Sequence, residues 1–176
     1  MKLLLTLVAV PAVTQFLCAA DVQWVLQQST LTYHVSHPLH QTEGVSHAAR
    51  GKGVCHAGQC DFLIAVPVKS FDSGDSNRDL HMLEVAKGAE FPLVTDCRKA
   101  TRSLRPSTPI WKFSLRARRH ITNRLLFQLT PQESETKITG TVPATLSDFK
   151  IEPPTLLTLP VKNEIPIRVE MTWHRQ

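Results

Sequence analysis

The stretch IPIRVEMTWH, residues 165–174, alternates apolar and polar side chains without a break. Successive side chains of a β-strand point to opposite faces, so strict alternation is the period of a strand that buries one face. Ile165 and Trp173 begin and end the apolar row. We therefore predict a strand here, with its apolar face in a core and its polar face in solvent.

The same alternation recurs throughout the chain after residue 24. The apolar rows are Leu31, Tyr33 and Val35; Phe62, Ile64, Val66 and Val68; Trp111, Phe113, Leu115 and Ala117; Leu125, Phe127 and Leu129; and Ile138, Gly140, Val142, Ala144 and Leu146. Seven or eight short strands without long helical periods between them predict an all-β, antiparallel barrel or sandwich. A closed barrel has the advantage that it leaves no unpaired edge strand.

One segment lacks the alternation and predicts a short helix near residues 76–88. Ser76 stands three residues before Asp79, an approximate capping box in which a hydroxyl and a carboxylate satisfy the first helical amides. Gly88 provides a C-terminal stop, and Pro92 prevents continuation. The segment is expected to join two strands.

The first twenty residues have the order of a secretory signal peptide. Lys2 precedes an apolar run, and the small residues Ala19 and Ala20 precede the polar Asp21. A membrane anchor is the alternative, but Pro11 interrupts the run, which is shorter than the roughly 20 residues of a spanning helix. We predict a signal peptide over residues 1–20 and a single exported domain over residues 21–176.

Three cysteines remain after such a cleavage: Cys55, Cys60 and Cys97. In an oxidising compartment the near pair, Cys55 and Cys60, predicts a disulfide that closes a small loop. Cys97 is left over, either buried as a small apolar residue or free for an intermolecular bond.

The chain carries a net charge of +5, and its basic residues are concentrated between Arg98 and Arg124. Such a cluster is able to contact anionic lipid head groups or nucleic acid. Export from the cytoplasm argues against nucleic acid, and a solvated basic face is the simpler interpretation.

The charged stretch between Asp72 and His81 contains the residue types that general acid–base catalysis uses. Asp79 and His81 are two residues apart, so they point in different directions on a helix. Asp72 and Asp75 flank a glycine turn, where aspartate bonds to its own backbone. The spacing does not match a calcium loop, and the chain has no Gly-x-Ser-x-Gly elbow. We therefore predict no catalytic residues.

Four early histidines, His34, His37, His40 and His47, are the strongest metal candidates. Neutral imidazoles bind zinc, copper and nickel, and three of these lie in or near one turn. They have no carboxylate or cysteine at ligand spacing, so we predict no metal site. A Cys-x-x-Cys-His motif for haem is also absent from the sequence.

Four segments together resemble the YceI-like, or polyisoprenoid-binding, family, in the family's order and across nearly all of residues 21–176. They are Phe71–Met82 with Phe91–Val94; Ser29–Val35 with His37-Pro38; Gly140-Thr141-Val142-Pro143; and Leu146–Pro154. The sequence departs from the family pattern at Thr95-Asp96-Cys97, where many members are apolar, and in its pair Cys55 and Cys60. The first departure puts a uniformly apolar interior in doubt.

The resemblance implies a lipocalin-like barrel of about eight strands that holds an isoprenoid-type lipid, such as a polyprenyl chain or a quinone, in the periplasm and without turnover. No other cofactor is expected. It further implies transient contact with a membrane surface and the homodimer common among such carriers.

The inward rows form either an ordinary filled core or the lining of a lipid tunnel. The resemblance favours the tunnel, with Arg78 and His81 as head-group contacts. The predicted lining residues are Phe62, Ile64, Val66, Trp111, Phe113, Leu115, Phe127, Ile138, Val142, Ile165, Ile167 and Val169. Two alternatives remain open: an enzyme that acts on a bound lipid-like substrate, and a metal-responsive or structural secreted module with a packed core.

Overall fold

A computed structural model describes residues 21–57, 59–101, 110–115, 118–122, 127–156 and 158–176. Within these ranges, the side chains of residues 97–101, 110–115, 118–122 and 156 are not described. The signal peptide predicted for residues 1–20 lies outside the described residues and stays a prediction. The side chains of the basic cluster between Arg98 and Arg124 also lie outside the described part of the chain.

The described residues form twelve strands, one α-helix and two short 3-10 turns, at Val68–Ser70 and Ser147–Phe149. The helix, α1, spans Ser76–Val85. The strands are β1 (Val22–His37), β2 (His40–Ser46), β3 (Arg50–His56), β4 (Gln59–Pro67), β5 (Leu93–Thr101), β6 (Ile110–Leu115), β7 (Arg118–Thr122), β8 (Phe127–Pro131), β9 (Glu135–Val142), β10 (Thr155–Leu156), β11 (Leu159–Pro160) and β12 (Ile167–Arg175).

Ten of these strands form one antiparallel sheet, and β10 and β11 form a separate hairpin. The order in the sheet is β7-β6-β5-β4-β3-β1-β12-β9-β8, with β2 also paired to β1. The predicted all-β antiparallel fold with one short helix is therefore confirmed. The expectation of a fully closed barrel is not met in the described part of the chain, because the end strands β7 and β8 have no pairing with each other there.

The longest strand, β1, organises the sheet and contains an irregularity. It pairs with β12 on one side, and with β3 and then β2 on the other. Its register against β12 shifts between Leu26 and Gln28. An extra residue in one strand reverses the faces of the residues that follow. Trp24 and Leu26 therefore face inward before the shift, and Leu31 and Tyr33 face inward after it.

The helix begins one residue earlier than the capping box predicted. Its N-cap is Asp75, whose Oδ1 accepts the backbone N–H groups of Asn77 at 3.0 Å and Arg78 at 3.1 Å. Ser76 is the first helical residue, so the predicted cap at Ser76 is wrong. The helix also ends earlier than residue 88. Lys87 has a left-handed φ of 51° and Gly88 N–H donates to Leu83 O at 2.7 Å, which closes the last turn.

Candidate functional site

The interior of the curved sheet contains a cavity of about 580 Å³. Strands β1, β2, β4, β5, β9 and β12 and helix α1 all contribute to its wall, together with residues between Leu146 and Ile165, and the wall is predominantly apolar. Its volume lies within the roughly 300–1,000 Å³ of small-molecule sites in proteins. An apolar enclosure of this size is chemically suited to hold a hydrocarbon chain out of water.

Half of the predicted lining residues lie on the wall of this cavity. They are Ile64, Val66, Val142, Ile165, Ile167 and Val169. Phe62, Phe127 and Ile138 lie elsewhere, packed against the core cluster of buried side chains. The side chains of Trp111, Phe113 and Leu115 lie outside the described residues, although their strand, β6, is present. The sequence did not single out Leu31, Tyr33 and Val35 as lining, yet all three face the cavity. Their alternation in β1 was the available signal.

Aromatic side chains fill the interior beside the cavity. The ring of Phe62 packs edge-on against Trp173, with 5.1 Å between centroids, and Trp173 is only 2% exposed. Two glycines of β3 leave room for them. A Cβ on Gly51 would lie 2.5 Å from Trp173 Cη2, and one on Gly53 would overlap the ring of Phe62. One part of the interior is therefore packed and the other is hollow.

Helix α1 lies along the hollow part and turns one face toward it. Arg78, Met82 and Val85 follow one another at helical spacing on the cavity wall, and Asn77 and His81 join them. The helix has no buried residue, because the side chains on this face border the cavity instead of a packed core. Both predicted head-group residues, Arg78 and His81, are thus on the cavity wall.

A hydrogen-bonded network formed by Ser73, Arg78 and Asp79 connects the turn before α1 to the helix, beside Tyr33 of the cavity wall. Ser73 Oγ donates to Asp79 Oδ1 at 2.6 Å and accepts from Arg78 Nε at 2.9 Å. Arg78 Nη2 also donates to Ser73 O at 2.8 Å. The Tyr33 phenol lies close enough to Ser73, Arg78 and Asp79 for all three to influence its pKa. Asp79 therefore holds the turn before the helix, instead of accepting the helix's own first amides as the sequence suggested.

The environment of Tyr33 favours its neutral form. Burial raises the pKa of the Tyr33 phenol, and the negative charge of Asp79 raises it further. The charge of Arg78 and the hydrogen bond with Ser73 act in the opposite direction on this pKa. The phenol consequently stays protonated and polar at the edge of the cavity.

Asp96 interrupts the apolar wall. It is 4% exposed and lies on β5 directly opposite Ile64 of β4, with both residues on the cavity wall. The sequence placed a departure from the apolar family pattern at this position. The interior is therefore not uniformly apolar, as that departure indicated.

The early histidines do not converge. His34 pairs with a carboxylate of β2 at 2.8 Å, and His47 Nδ1 bonds to Ser29 O at 3.1 Å. His37 and His40 lie with their ring centroids 5.1 Å apart. Among the residues that the structure describes, no group of three or more His, Cys, Asp or Glu side chains is arranged to hold a metal ion.

The predicted disulfide is present. Cys55 and Cys60 face each other at the end of the β3–β4 hairpin and are joined, with 4.0 Å between their Cα atoms. Cys97 lies in β5, and its side chain is outside those described. In the described part of the chain, none of the helices has the length and apolar character that crossing a bilayer requires.

Comparison with known proteins supports the fold and not a closer relationship. No protein-family model matches the sequence, and no curated protein matches it either. A crystal structure of Burkholderia cenocepacia BcnA has a TM-score of 0.66 and 15% identity, covering 82% of this chain and 95% of that one. A polyisoprenoid binding domain from Saccharophagus degradans, implicated in plant cell wall breakdown, has a TM-score of 0.69 and 12% identity, covering 87% and 98%.

These similarities place the chain among antiparallel β-barrel folds. More particularly, the fold is that of the solved polyisoprenoid binding domain. It is also the fold implied by the resemblance to the YceI-like family, and the prediction of that fold is confirmed.

Proposed function

We propose that the protein binds an isoprenoid-type lipid, a polyprenyl chain or a quinone, in the cavity and carries it without turnover. The observation that carries the proposal is the hollow, predominantly apolar interior between β1, β4, β9 and β12. A packed structural module would fill this space with side chains. Each buried methylene group of a ligand contributes about 0.8 kcal/mol, so even a part of an isoprenoid tail provides substantial affinity.

The head group is proposed to lie at the helix, near Arg78 and His81. Arg78 uses Nε and Nη2 to hold Ser73, which leaves Nη1 outside those bonds. His81 is exposed, and its Nδ1 lies 3.8 Å from a carboxylate oxygen of Glu84. Both residues lie on the cavity wall, so a polar group at the end of a bound tail would be within their reach.

The geometry supports binding better than catalysis. Ser73 Oγ donates its hydrogen bond to the carboxylate of Asp79 and accepts one from the guanidinium of Arg78, and this network contains no imidazole to act as its base. The Ser73 hydroxyl and the Asp79 carboxylate are thus engaged in holding the turn before α1. An enzyme acting on the bound lipid would lose activity on replacement of Asp79 and His81 while lipid binding persists, which separates the two functions.

The location is proposed to be the periplasm, with contact to a membrane surface when lipid is exchanged. The proposal rests on the signal-like residues 1–20 and on the disulfide, which persists in oxidising compartments. Two exposed leucines support the contact: Leu39 follows β1, and Leu159 is in the β10–β11 hairpin. His37 connects the two segments, because its Nδ1 accepts Leu39 N–H and its Nε2 donates to Leu159 O, each at 3.2 Å.

Lipid carriage is tested by native mass spectrometry of gently purified protein, followed by organic extraction. We expect a co-purified or exchangeable isoprenoid. Ile167→Trp fills the cavity from β12 and should lower lipid occupancy about tenfold or more, because a tail that loses two buried methylene groups already loses that much. The matched control is Arg168→Trp, the same change at the next, exposed position on the opposite face.

Two outcomes would contradict the proposal. One is a wild-type protein that neither co-purifies with lipid nor takes up added isoprenoid. The other is equal lipid occupancy in Ile167→Trp and Arg168→Trp, with both variants folded by circular dichroism. For the head group, His81→Ala should weaken binding of an isoprenoid alcohol but leave binding of the matching hydrocarbon unchanged.

A further inference from the structure

The cavity is blind at the aromatic pair Phe62 and Trp173. Along β12 the inward residues Ile167, Val169 and Met171 line the cavity, and the next inward residue is Trp173. Along β4 the lining residue Ile64 is followed, in the opposite direction of the chain, by Phe62. The two rings meet 5.1 Å apart one layer beyond the lining. A bound tail that extends along these strands therefore ends against them.

Two glycines determine that this end is closed. Gly51 and Gly53 face inward on β3, opposite Ile64 and Phe62 of β4. A side chain at either position would meet the ring of Trp173 or Phe62 and displace it. The absence of side chains on the two glycines thus leaves room for both rings in the interior. Trp173 and Leu26 belong to the same core cluster, and Phe62 packs against it.

We propose that Phe62 and Trp173 set the length of the lipid tail, and that the ligand is an amphiphile with a short isoprenoid tail. This inference rests on the proposed function and makes its ligand more specific. At roughly 30 Å³ for each non-hydrogen atom, the share of a water molecule in the liquid, a volume of about 580 Å³ holds about 20 atoms. That is about four isoprene units. The remainder of a longer polyprenyl chain stays in water or at the membrane.

The length limit has a measurable consequence for affinity. While the tail is shorter than the cavity, each added methylene group becomes buried and strengthens binding by roughly fourfold. Once the tail reaches the aromatic pair, added groups remain outside and contribute nothing. Affinity should therefore rise with chain length and then stop rising.

The experiment measures the dissociation constants of farnesol, geranylgeraniol and solanesol, the last a much longer prenyl alcohol, by displacement of a fluorescent fatty-acid probe. For the wild type, we expect tighter binding of geranylgeraniol than of farnesol and no further gain for solanesol. Phe62→Ala and Trp173→Leu extend the cavity and should strengthen solanesol binding at least tenfold relative to geranylgeraniol. Leu63→Ala, on the exposed face of the same strand, is the matched control and should keep the wild-type order.

A variant that shortens the cavity keeps the proposal testable if the variants that lengthen it fail to fold. Met171→Phe adds a ring one layer above Trp173. It should reduce the ratio of the farnesol to the geranylgeraniol dissociation constant about tenfold. Three results would overturn the length limit alone: continued gain for solanesol in the wild type, an unchanged order in folded Phe62→Ala and Trp173→Leu, or an undiminished advantage of geranylgeraniol in folded Met171→Phe. Absence of binding for all three alcohols and for the probe would instead overturn the proposed function.

Discussion

Tyr33 lies where the cavity wall meets the turn before α1, and its surroundings explain the role of several charged residues. Its ring packs against Phe71, with 5.5 Å between centroids, and occupies the space above Gly44 on the paired strand. Its hydroxyl lies beside the network in which Ser73 connects Arg78 to Asp79, and these residues influence its pKa. The charges that suggested chemistry in the sequence thus hold a turn in place.

The titration of Tyr33 tests this arrangement. Burial and the charge of Asp79 raise its pKa, so tyrosinate should form above the ordinary value of about 10. Because the folded pKa is raised, the stabilisation is complete below the unfolded pKa and is lost as pH rises through the folded one. Tyr33 is the only tyrosine of the chain, so tyrosinate absorbance reports it alone.

Two variants complete that measurement. Asp79→Asn should lower the pKa of Tyr33, because it removes a negative charge beside the phenol. Glu170→Gln removes a carboxylate from the exposed face of β12 and should leave the titration unchanged. A tyrosinate transition at or below the ordinary pKa would show that Tyr33 is not buried in this network.

At the scale of the element, α1 shows which parts of a local pattern are reliable. The run of helix formers and the following Gly88 predicted a helix, and one is present at Ser76–Val85. The cap was displaced by one residue because Asp75 and Ser76 are both good capping residues. Asp75 caps because the turn through Gly74, with φ of 78°, places its carboxylate over the amides of Asn77 and Arg78.

Of the two candidate cap residues, Asp75 and Ser76, only Asp75 should therefore lower the stability of the protein substantially when it is replaced. Asp75→Ala removes the acceptor for two helical amides and should lower the free energy of unfolding by about 1 kcal/mol. Ser76→Ala should change it by a few tenths of that value, because Ser76 is a first-turn residue. Urea denaturation of both variants measures the difference in the free energy of unfolding. A larger decrease for Ser76→Ala than for Asp75→Ala would show that Ser76 is the N-cap, as the sequence favoured.

At the scale of the whole molecule, the interior is divided into a packed and a hollow part. Trp173, Phe62 and Leu26 fill one part, and the cavity occupies the other, bordered by α1. Surface left apolar around a cavity is stabilised when a ligand covers it, because binding to the folded state alone shifts the folding equilibrium. The bound lipid is thus expected to act as a part of the core.

Removal of the lipid should consequently lower stability. We expect protein stripped of lipid by organic extraction to unfold at a lower temperature than loaded protein. The difference in free energy should be about 2.7 kcal/mol when free ligand is a hundred times the dissociation constant. Ile167→Trp, whose cavity is filled, should show a smaller difference between the two preparations. Equal melting temperatures for loaded and stripped wild-type protein would contradict a ligand held in the interior.

The sequence by itself determined the strands β4 and β12 with their inward faces, the short helix and the disulfide. These features depend on periodicity, on local turn residues and on cysteine spacing, all of which act between residues close in the chain. The prediction from sequence was wrong at Leu129, which is exposed, and at Val68, which lies in a 3-10 turn. The resemblance to a family added the expected fold and a lipid ligand, and the fold is confirmed. The rows from Ile64 to Val66 and from Ile165 to Val169 were also placed on the wall that the cavity uses.

Only the tertiary structure decided which inward residues border empty space. Phe62 and Ile64 are indistinguishable by alternation, yet Phe62 packs on Trp173 and Ile64 lines the cavity. The difference arises from residues distant in sequence, Gly51 and Gly53, which make room for the rings. Likewise, Tyr33 and Ser73 meet through strand pairing and a turn that the sequence does not encode locally. Alternation fixes the face of a residue, but packing across the sheet decides what that face meets.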